Sequence, residues 1–418
     1  MSDNSCNSRH FSWLMKSCFP NNQHPSPHHP TPIVPLTSTN TISSLPDDLL
    51  LECLSRVTHS ELPSLPLVCS RWSHILDSPA FHLLRQRHRL LRLTLFAVSV
   101  SEGTLFVASC GLENACSWKI SSVNDTFFEN GSRLSAIGRK IYVIGRTAML
   151  RYDTWTGKVV GLQGPVYPRK KFATAVVGGK IYVAGGCSTA AAVVEEYDPS
   201  SNKWLVVANV PKKRYGCVGA SVDGIFYIIG GLKLGGGPLN EMPRGSAHVY
   251  ASSMNFYDSV NGVPPGGGAS SMLMARESHI YASSMDLYDT VNGVWLKSRS
   301  VPGGGCVIAA CAAAGEIYIL SSHASSGFGE WRRIKPPPLP AQVRIESRVR
   351  FSCVGVGEKV VLVQVNGCID DLLWRSGRVE RGMKEGLVLV YDCCGGEWSR
   401  GVDLPEGIRR PACVCVEC

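Results

Sequence analysis

The chain has 418 residues, 44% of them hydrophobic and only 18% charged, with 42 glycines and 25 prolines. That length suggests two or three domains, and so few charges among so many turn-formers argue for a mainly β body rather than a helical one. The net charge of +9 permits an acidic partner, but it is spread along the chain and does not point to nucleic acid, and no apolar run of about 18 residues marks a membrane span.

Residues 1–43 are rich in Ser, Asn, Pro, Thr and His, and PSPHHPTP, from Pro25 to Pro32, has neither a helical nor a strand period. They read as a disordered tail. No basic segment followed by a long apolar run opens the chain, so no secretory signal is expected. The 17 cysteines are odd in number and irregularly spaced, which fits free thiols in a reducing cytoplasmic or nuclear setting.

Residues 44–90 read as helices. Leu49, Leu50, Cys53, Leu54 and Val57 recur at spacings of three and four, one apolar helix face, and Asp47 and Asp48 lie where a first turn favours negative charge. Ser60 is placed to cap a second helix. Pro63 stands in that helix's first turn, where no intrahelical N–H bond is needed, and Pro66 ends it. A third helix follows with Leu67, Val68, Ile75 and Leu76 on its apolar side and Trp72 as its largest group. A fourth, PAFHLLRQRHRLLR (residues 79–92), carries Arg85, Arg87, Arg89 and Arg92, read as a solvated face.

The strings Leu-Pro-Asp-Asp-Leu (Leu45 to Leu49) and Val-Cys-Ser-Arg-Trp (Val68 to Trp72) resemble the F-box, the module that attaches a protein to the Skp adaptor of a cullin-type ubiquitin ligase. By that resemblance Leu45, Pro46, Leu50, Leu54, Val68, Cys69 and Trp72 face the adaptor or hold the helices that do. With Leu49, Cys53 and Val57 from the apolar face, they make the adaptor-binding set. Pro63 and Pro66 depart from the family pattern and bear on the detail of the second helix.

From residue 91 to 418 the chain repeats itself. RKIYVIG (Arg139 to Gly145), GKIYVAGG (Gly179 to Gly186), GIFYIIGG (Gly224 to Gly231), GEIYIL (Gly315 to Leu320) and EKVVLVQV (Glu358 to Val365) share a phrase. Tyr-Asp and then Trp follow in several units: Tyr197-Asp198 to Trp204, Tyr288-Asp289 to Trp295, and Tyr391-Asp392 to Trp398, with Tyr152-Asp153 opening the same phrase. Glycine supplies the hairpin turns, glycine pairs let neighbouring sheets approach, and Tyr and Trp fill the wedge between them. These units resemble the kelch repeat, which implies a kelch-type β-propeller. HVYASSMNFYDSVNGV (His248 to Val263) recurs as HIYASSMDLYDTVNGV (His279 to Val294). The first copy is read as an insertion near 243–273 and the second as a blade strand. Without the insertion the body divides into six blades of about 50 residues; with it, seven also fit. Arg92 to Val100 and Pro411 to Val416 lack neighbours in their own units, and pairing them closes the ring and removes two edges.

A basic residue stands shortly before the first strand of several units: Arg133, Lys171, Arg214, Arg350 and Arg410, with Arg169, Lys170, Lys212 and Lys213 nearby. Rotation between blades would gather them on one ring, suited to an acidic or phosphorylated target; solvation of loops is the alternative reading. Some kelch propellers hold a copper oxidase site, but the body has only His248, His279 and His323, and no set of convergent catalytic groups is visible. No cofactor or metal is expected. Cys393, Cys394, Cys413, Cys415 and Cys418 lack the twice-paired spacing of a zinc site and read as small buried hydrophobes. The whole resembles an F-box/kelch-repeat protein of the plant type. That implies a non-catalytic substrate receptor of a Skp–cullin–F-box ubiquitin ligase, with a kelch scaffold as the alternative.

Overall fold

The computed structural model describes residues 42–101, 103–112, 117–123, 132–186, 192–233, 280–281, 284–301, 307–321, 334–339, 350–366, 386–405, 407–408, 410 and 411–417. The tail to residue 41, the first copy of the duplicated segment and all three propeller histidines lie outside them. The chain divides into two units, Met1–Pro46 and Asp47–Cys418. In the first, Ile42–Ser44 forms a 3-10 turn closed by Leu45 N–H donating to Ile42 O.

The second unit opens with helix α1 (Asp47–Ser55), which has both aspartates in its first turn and buries Leu50 and Leu54. The next helix is not α but 3-10, over Leu62–Leu67, with Pro63 in its first turn and Pro66 inside. Pro66 has no N–H to donate, so an α ladder cannot run through it. The expected Ser60 cap is not formed: Glu61 precedes the helix, and Ser60 Oγ lies 3.1 Å from Thr58 Oγ1. Helix α2 spans Ser70–Leu76, and α3 spans Pro79–Arg87, where Ser78 Oγ accepts from Phe81 N–H at 3.2 Å. Helix α3 stops short of residue 92 as Arg89 turns to φ 55°. Arg85 is not part of a solvated face. It is 1% exposed and donates to the Ser55, Val57 and Leu90 carbonyls at 2.8–3.1 Å, satisfying the carbonyls that end α1.

The rest is β-propeller. Five antiparallel sheets have four strands among the described residues. Blade 1 joins Leu93–Ser101, Thr104–Gly111 and Lys119–Val123 to the closing strand Ala412–Glu417, which is innermost. Blade 2 runs from Arg133 to Gln163, blade 3 from Ala173 to Asn209, blade 4 from Val218 to Ser300, and blade 6 from Arg350 to Arg400. Between blades 4 and 6 stands a sheet of two described strands, Val307–Ala313 and Glu316–Ser321. The expectation of six complete blades is thus met by five, with two strands at the remaining position. The inner strands follow one another round a closed circuit, each packing on the next. The expected closure is present: Leu93 pairs with Glu417 and Val98 with Ala412. The second copy of the duplicate forms the third strand of blade 4, Ser284–Asp289.

The repeat phrase explains the packing. Tyr197, Tyr288 and Tyr391 each meet the Trp of the next strand at 5.1–5.2 Å between ring centres. Each Trp then donates its indole N–H to the preceding blade. Trp204 bonds Gln163 O at 2.9 Å, Trp295 bonds Asn209 O at 2.8 Å, and Trp118 bonds Val402 O at 3.0 Å. Trp398 bonds Lys335 O at 2.8 Å, so Lys335 occupies the outer-strand place of the two-stranded sheet. Gly185, at φ 73°, is where blades 3 and 4 close up: a Cβ there would lie 2.8 Å from Arg214 O and from Cys217 Sγ.

Candidate functional site

Two surfaces and the joint between them carry the candidate chemistry. The helical surface sorts the ten adaptor-set residues by depth. Leu50 and Leu54 are 2% and 4% exposed and pack with Leu62, Leu76 and Phe81 as the module's core, with Val57 and Trp72 half-buried against it. Leu49 is 56% exposed and Val68 59% exposed, and Cys53 and Cys69 are exposed. Leu45 is half-buried and Pro46 exposed at the end of the first unit. Leu67, outside the expected set, is 73% exposed. Its neighbour Pro66 holds it in a 3-10 turn that points it away from the core, a signal present in the sequence once the proline is read as bending the helix. Among the described residues nothing covers the exposed side chains of Leu49, Leu67 and Val68.

The second surface is one end of the ring. The inner strands, the closing strand of blade 1 included, run in one direction, so their first residues share an end. Arg133 and Arg350 begin the inner strands of blades 2 and 6, and Lys171 and Arg410 each stand two residues before theirs. These four belong to consecutive blades 6, 1, 2 and 3. Arg133 donates to Phe172 O at 2.9 Å and Cys217 O at 3.4 Å, spanning three blades. Burial, together with the Arg350 charge, holds its guanidinium below the ordinary arginine value. Lys171 lies over the Tyr215 ring at 5.4 Å. Burial first, then the charges of Arg350, Arg133 and Lys170, hold its ammonium below the ordinary lysine value. Among the described residues no carboxylate pairs with these cations, and like charges that lower Arg133 and Lys171 mark a concentrated positive potential.

Lys171 and Arg410 also take left-handed backbone conformations, φ 53° and 49°; at the equivalent place in blade 4 stands Gly216, φ 74°. Glycine adopts that region freely and a side chain pays strain there. Blades 1 and 3 keep a long cation all the same.

Arg214 does not belong to this ring. It is 1% exposed, with Nε bonded to Asp286 at 2.8 Å and the rest of the guanidinium on Gly230 O and on Ser284 O and Oγ. Arg169 is likewise buried, on Glu195, Gly185 O and Val193 O. Both stand four residues before their inner strands and clamp an acid in the third strand of their own blade. The sequence alignment of Arg214 with Lys171 was two residues out: Gly216 is the true equivalent.

The two surfaces lie at opposite ends of the propeller. The inner strand of blade 2 starts at Arg133 in the basic end and finishes at Ile137, about 13 Å away at strand rise, where the turn Gly138-Arg139 meets the helical module. There Arg139 Nε bonds Asp77 Oδ1 at 2.9 Å, its NH1 pairs with Asp153, and its NH2 reaches Ser73 Oγ at 3.4 Å. Lys140 Nζ bonds Asp77 Oδ2 at 2.5 Å. Trp155 packs edge-on to Phe81 at 6.4 Å and under the Arg139 guanidinium at 4.9 Å.

Cys413 and Cys415 lie on the closing strand among blade contacts, and burial pushes the Cys413 thiol up to about 12 and Cys415 higher still. Among the described residues no group of three or more His, Cys, Asp or Glu is arranged to hold a metal ion.

Residues 42–84 match the F-box domain family, and residues 168–211 match the Kelch motif. An F-box/kelch-repeat protein of Arabidopsis thaliana is 51% identical over 450 residues, covering 100% of both chains. A second F-box/kelch-repeat protein of that plant is 26% identical and covers 46% of this chain and 54% of its own, and a third is 28% identical and covers 44% and 46%. The helical module and the propeller each match their family where the geometry above places them, and the full-length relative joins them in the same order: the chain belongs to the F-box/kelch-repeat family.

Proposed function

We propose that this chain is the target-recognition subunit of a Skp–cullin–F-box ubiquitin ligase, with no catalytic residue of its own. The carrying observation is that Leu49, Leu67 and Val68 of the helical module are exposed while Leu50, Leu54, Leu62, Leu76 and Phe81 are turned into its core. Large apolar side chains left exposed on one small module point to a partner surface, and an F-box implies a Skp-type adaptor. Through the adaptor the chain reaches the cullin. The propeller's basic end then receives the target, read as an acidic or phosphorylated segment held by Arg133, Lys171, Arg350 and Arg410. The ubiquitin chemistry is left to a recruited conjugating enzyme. We place the chain in the cytoplasm or nucleus, a reading supported by the free thiols of the described cysteines, of which Cys53, Cys69 and Cys394 are exposed.

The test is co-purification with a Skp adaptor. Leu49→Ala with Val68→Ala removes exposed side chains only, so the propeller stays folded while adaptor binding drops by about a hundredfold or more, the loss expected for two interface anchors. Undiminished binding would leave the chain a kelch scaffold rather than a ligase subunit.

A further inference from the structure

Blade 2 departs from the other blades at two turn positions, and both departures face the helical module. In the hairpin between first and second strands, blades 3 and 4 and the two-stranded sheet place Gly179, Gly224 and Gly315 where blade 2 has Arg139; blade 6 has Glu358. In the turn between third and fourth strands, an aspartate accepts the backbone N–H two residues on. That N–H belongs to Ser200, Val291 and Cys394 in blades 3, 4 and 6, all exposed, and to Trp155 in blade 2. Blades 3, 4 and 6 thus form without an arginine or a tryptophan at these places, while in blade 2 Trp155 also packs on the core that blades 1 and 2 share.

What they do is grip the helices. The Arg139 side chain is 4% exposed, between Asp77 of the helical module and Asp153 of its own blade. Its guanidinium lies over the Trp155 ring, which is packed into the same cluster as Phe81, Leu76 and Leu54. An arginine held by two carboxylates and an aromatic face has little rotational freedom left. A helical module of some forty residues makes a poor core alone, so Trp155 completes it from outside.

We propose that Arg139 and Trp155 are positioning residues. They lock the adaptor-binding helices to the propeller in one orientation, so that the basic end is presented to the ligase at a fixed place and only a restricted set of lysines comes within reach of transfer. This rests on the ligase reading above.

The test is the full chain carrying Arg139→Gly with Trp155→Ser, which gives blade 2 the residues that serve blade 3. Two measurements are made. Amide hydrogen exchange across residues 47–87 is expected to rise about tenfold or more while the blade strands keep their protection, as for a locally released unit. In a ligase reconstituted with Skp adaptor, cullin and charged conjugating enzyme, the propeller lysines that acquire ubiquitin are mapped by mass spectrometry. The parent chain should show a restricted set, the double variant a wider one at unchanged adaptor affinity, and Arg139→Lys with Trp155→Phe an intermediate pattern. Unchanged exchange overturns the joint. Raised exchange with an unchanged lysine set overturns the positioning role and leaves a structural contact. If the parent chain acquires no ubiquitin and binds no adaptor, the ligase reading fails, and exchange alone decides the joint.

Discussion

Lys171 and Arg214 stand 43 positions apart in the same kind of loop, yet their chemistry is opposed. Burial tends to raise the Asp286 carboxyl, but the bonds from Arg214 and Ser298 outweigh it and hold Asp286 below the ordinary aspartate value. A carboxyl depressed on folding contributes stability that is full above its unfolded value of about 3.9 and is lost as pH falls through the folded value. The parent chain should therefore lose stability more steeply below about pH 4 than Asp286→Asn, as read by thermal midpoints from pH 6 to pH 3. Arg214→Ala should cost about 3 kcal/mol, because it strips the buried Asp286 carboxylate of its main partner and leaves only Ser298 and Lys212, 3.7 Å away, and it tests folding rather than recognition. Lys171→Gly should do the reverse. Relief of a left-handed side chain stabilises by about 1 kcal/mol, while loss of the cation weakens capture of an acidic segment. Denaturant midpoint and target affinity moving in opposite directions is the expected outcome.

The strand phrase and the helix faces are the elements that carry the fold. A Tyr-Asp followed by Trp does three jobs. The Tyr and Trp rings stack, the Asp caps the hairpin through two backbone N–H groups in blades 2, 4 and 6, and the indole N–H reaches the blade before. Trp295→Phe keeps the ring but removes the N–H from Asn209 O. A loss of about 1 kcal/mol is expected from equilibrium unfolding, with the blades otherwise intact. At the basic end, Lys171→Ala with Arg350→Ala removes two of the cations that gather at the starts of the inner strands. Target binding should fall by about tenfold or more, and salt should weaken the parent chain in the same direction. Adaptor binding should not change, because it lies at the other end of the inner strands.

At the scale of the whole molecule, closure is the decisive interaction. The last strand is innermost in blade 1 and pairs with Leu93–Val98, joining the ring's end to its beginning. Removing residues 411–418 uncovers that edge and takes Val416 out of the core shared with blade 2. The thermal midpoint should drop by on the order of 10 °C, and the exposed edge should promote aggregation, measured by light scattering. The same closure carries His82 of the helical module to 3.8 Å from Glu417, so both ends of the body meet near the joint.

The sequence by itself determined the helical module, the repeat, the ring closure and the core face of Leu50 and Leu54, because each rests on local periodicity or on a phrase that recurs. It also made the basic end legible through Arg133, Lys171, Arg350 and Arg410. Only the tertiary structure decided which cations line the basic end and which are clamped on a carboxylate. Arg169, Arg214 and Arg85 find their carboxylates and carbonyls on strands or helices distant along the chain, and no spacing rule records such pairs. It also decided the 3-10 turn that presents Leu67. And it gave Arg139 and Trp155 their use, since a departure from the repeat shows where a blade is unlike its neighbours but not what stands opposite.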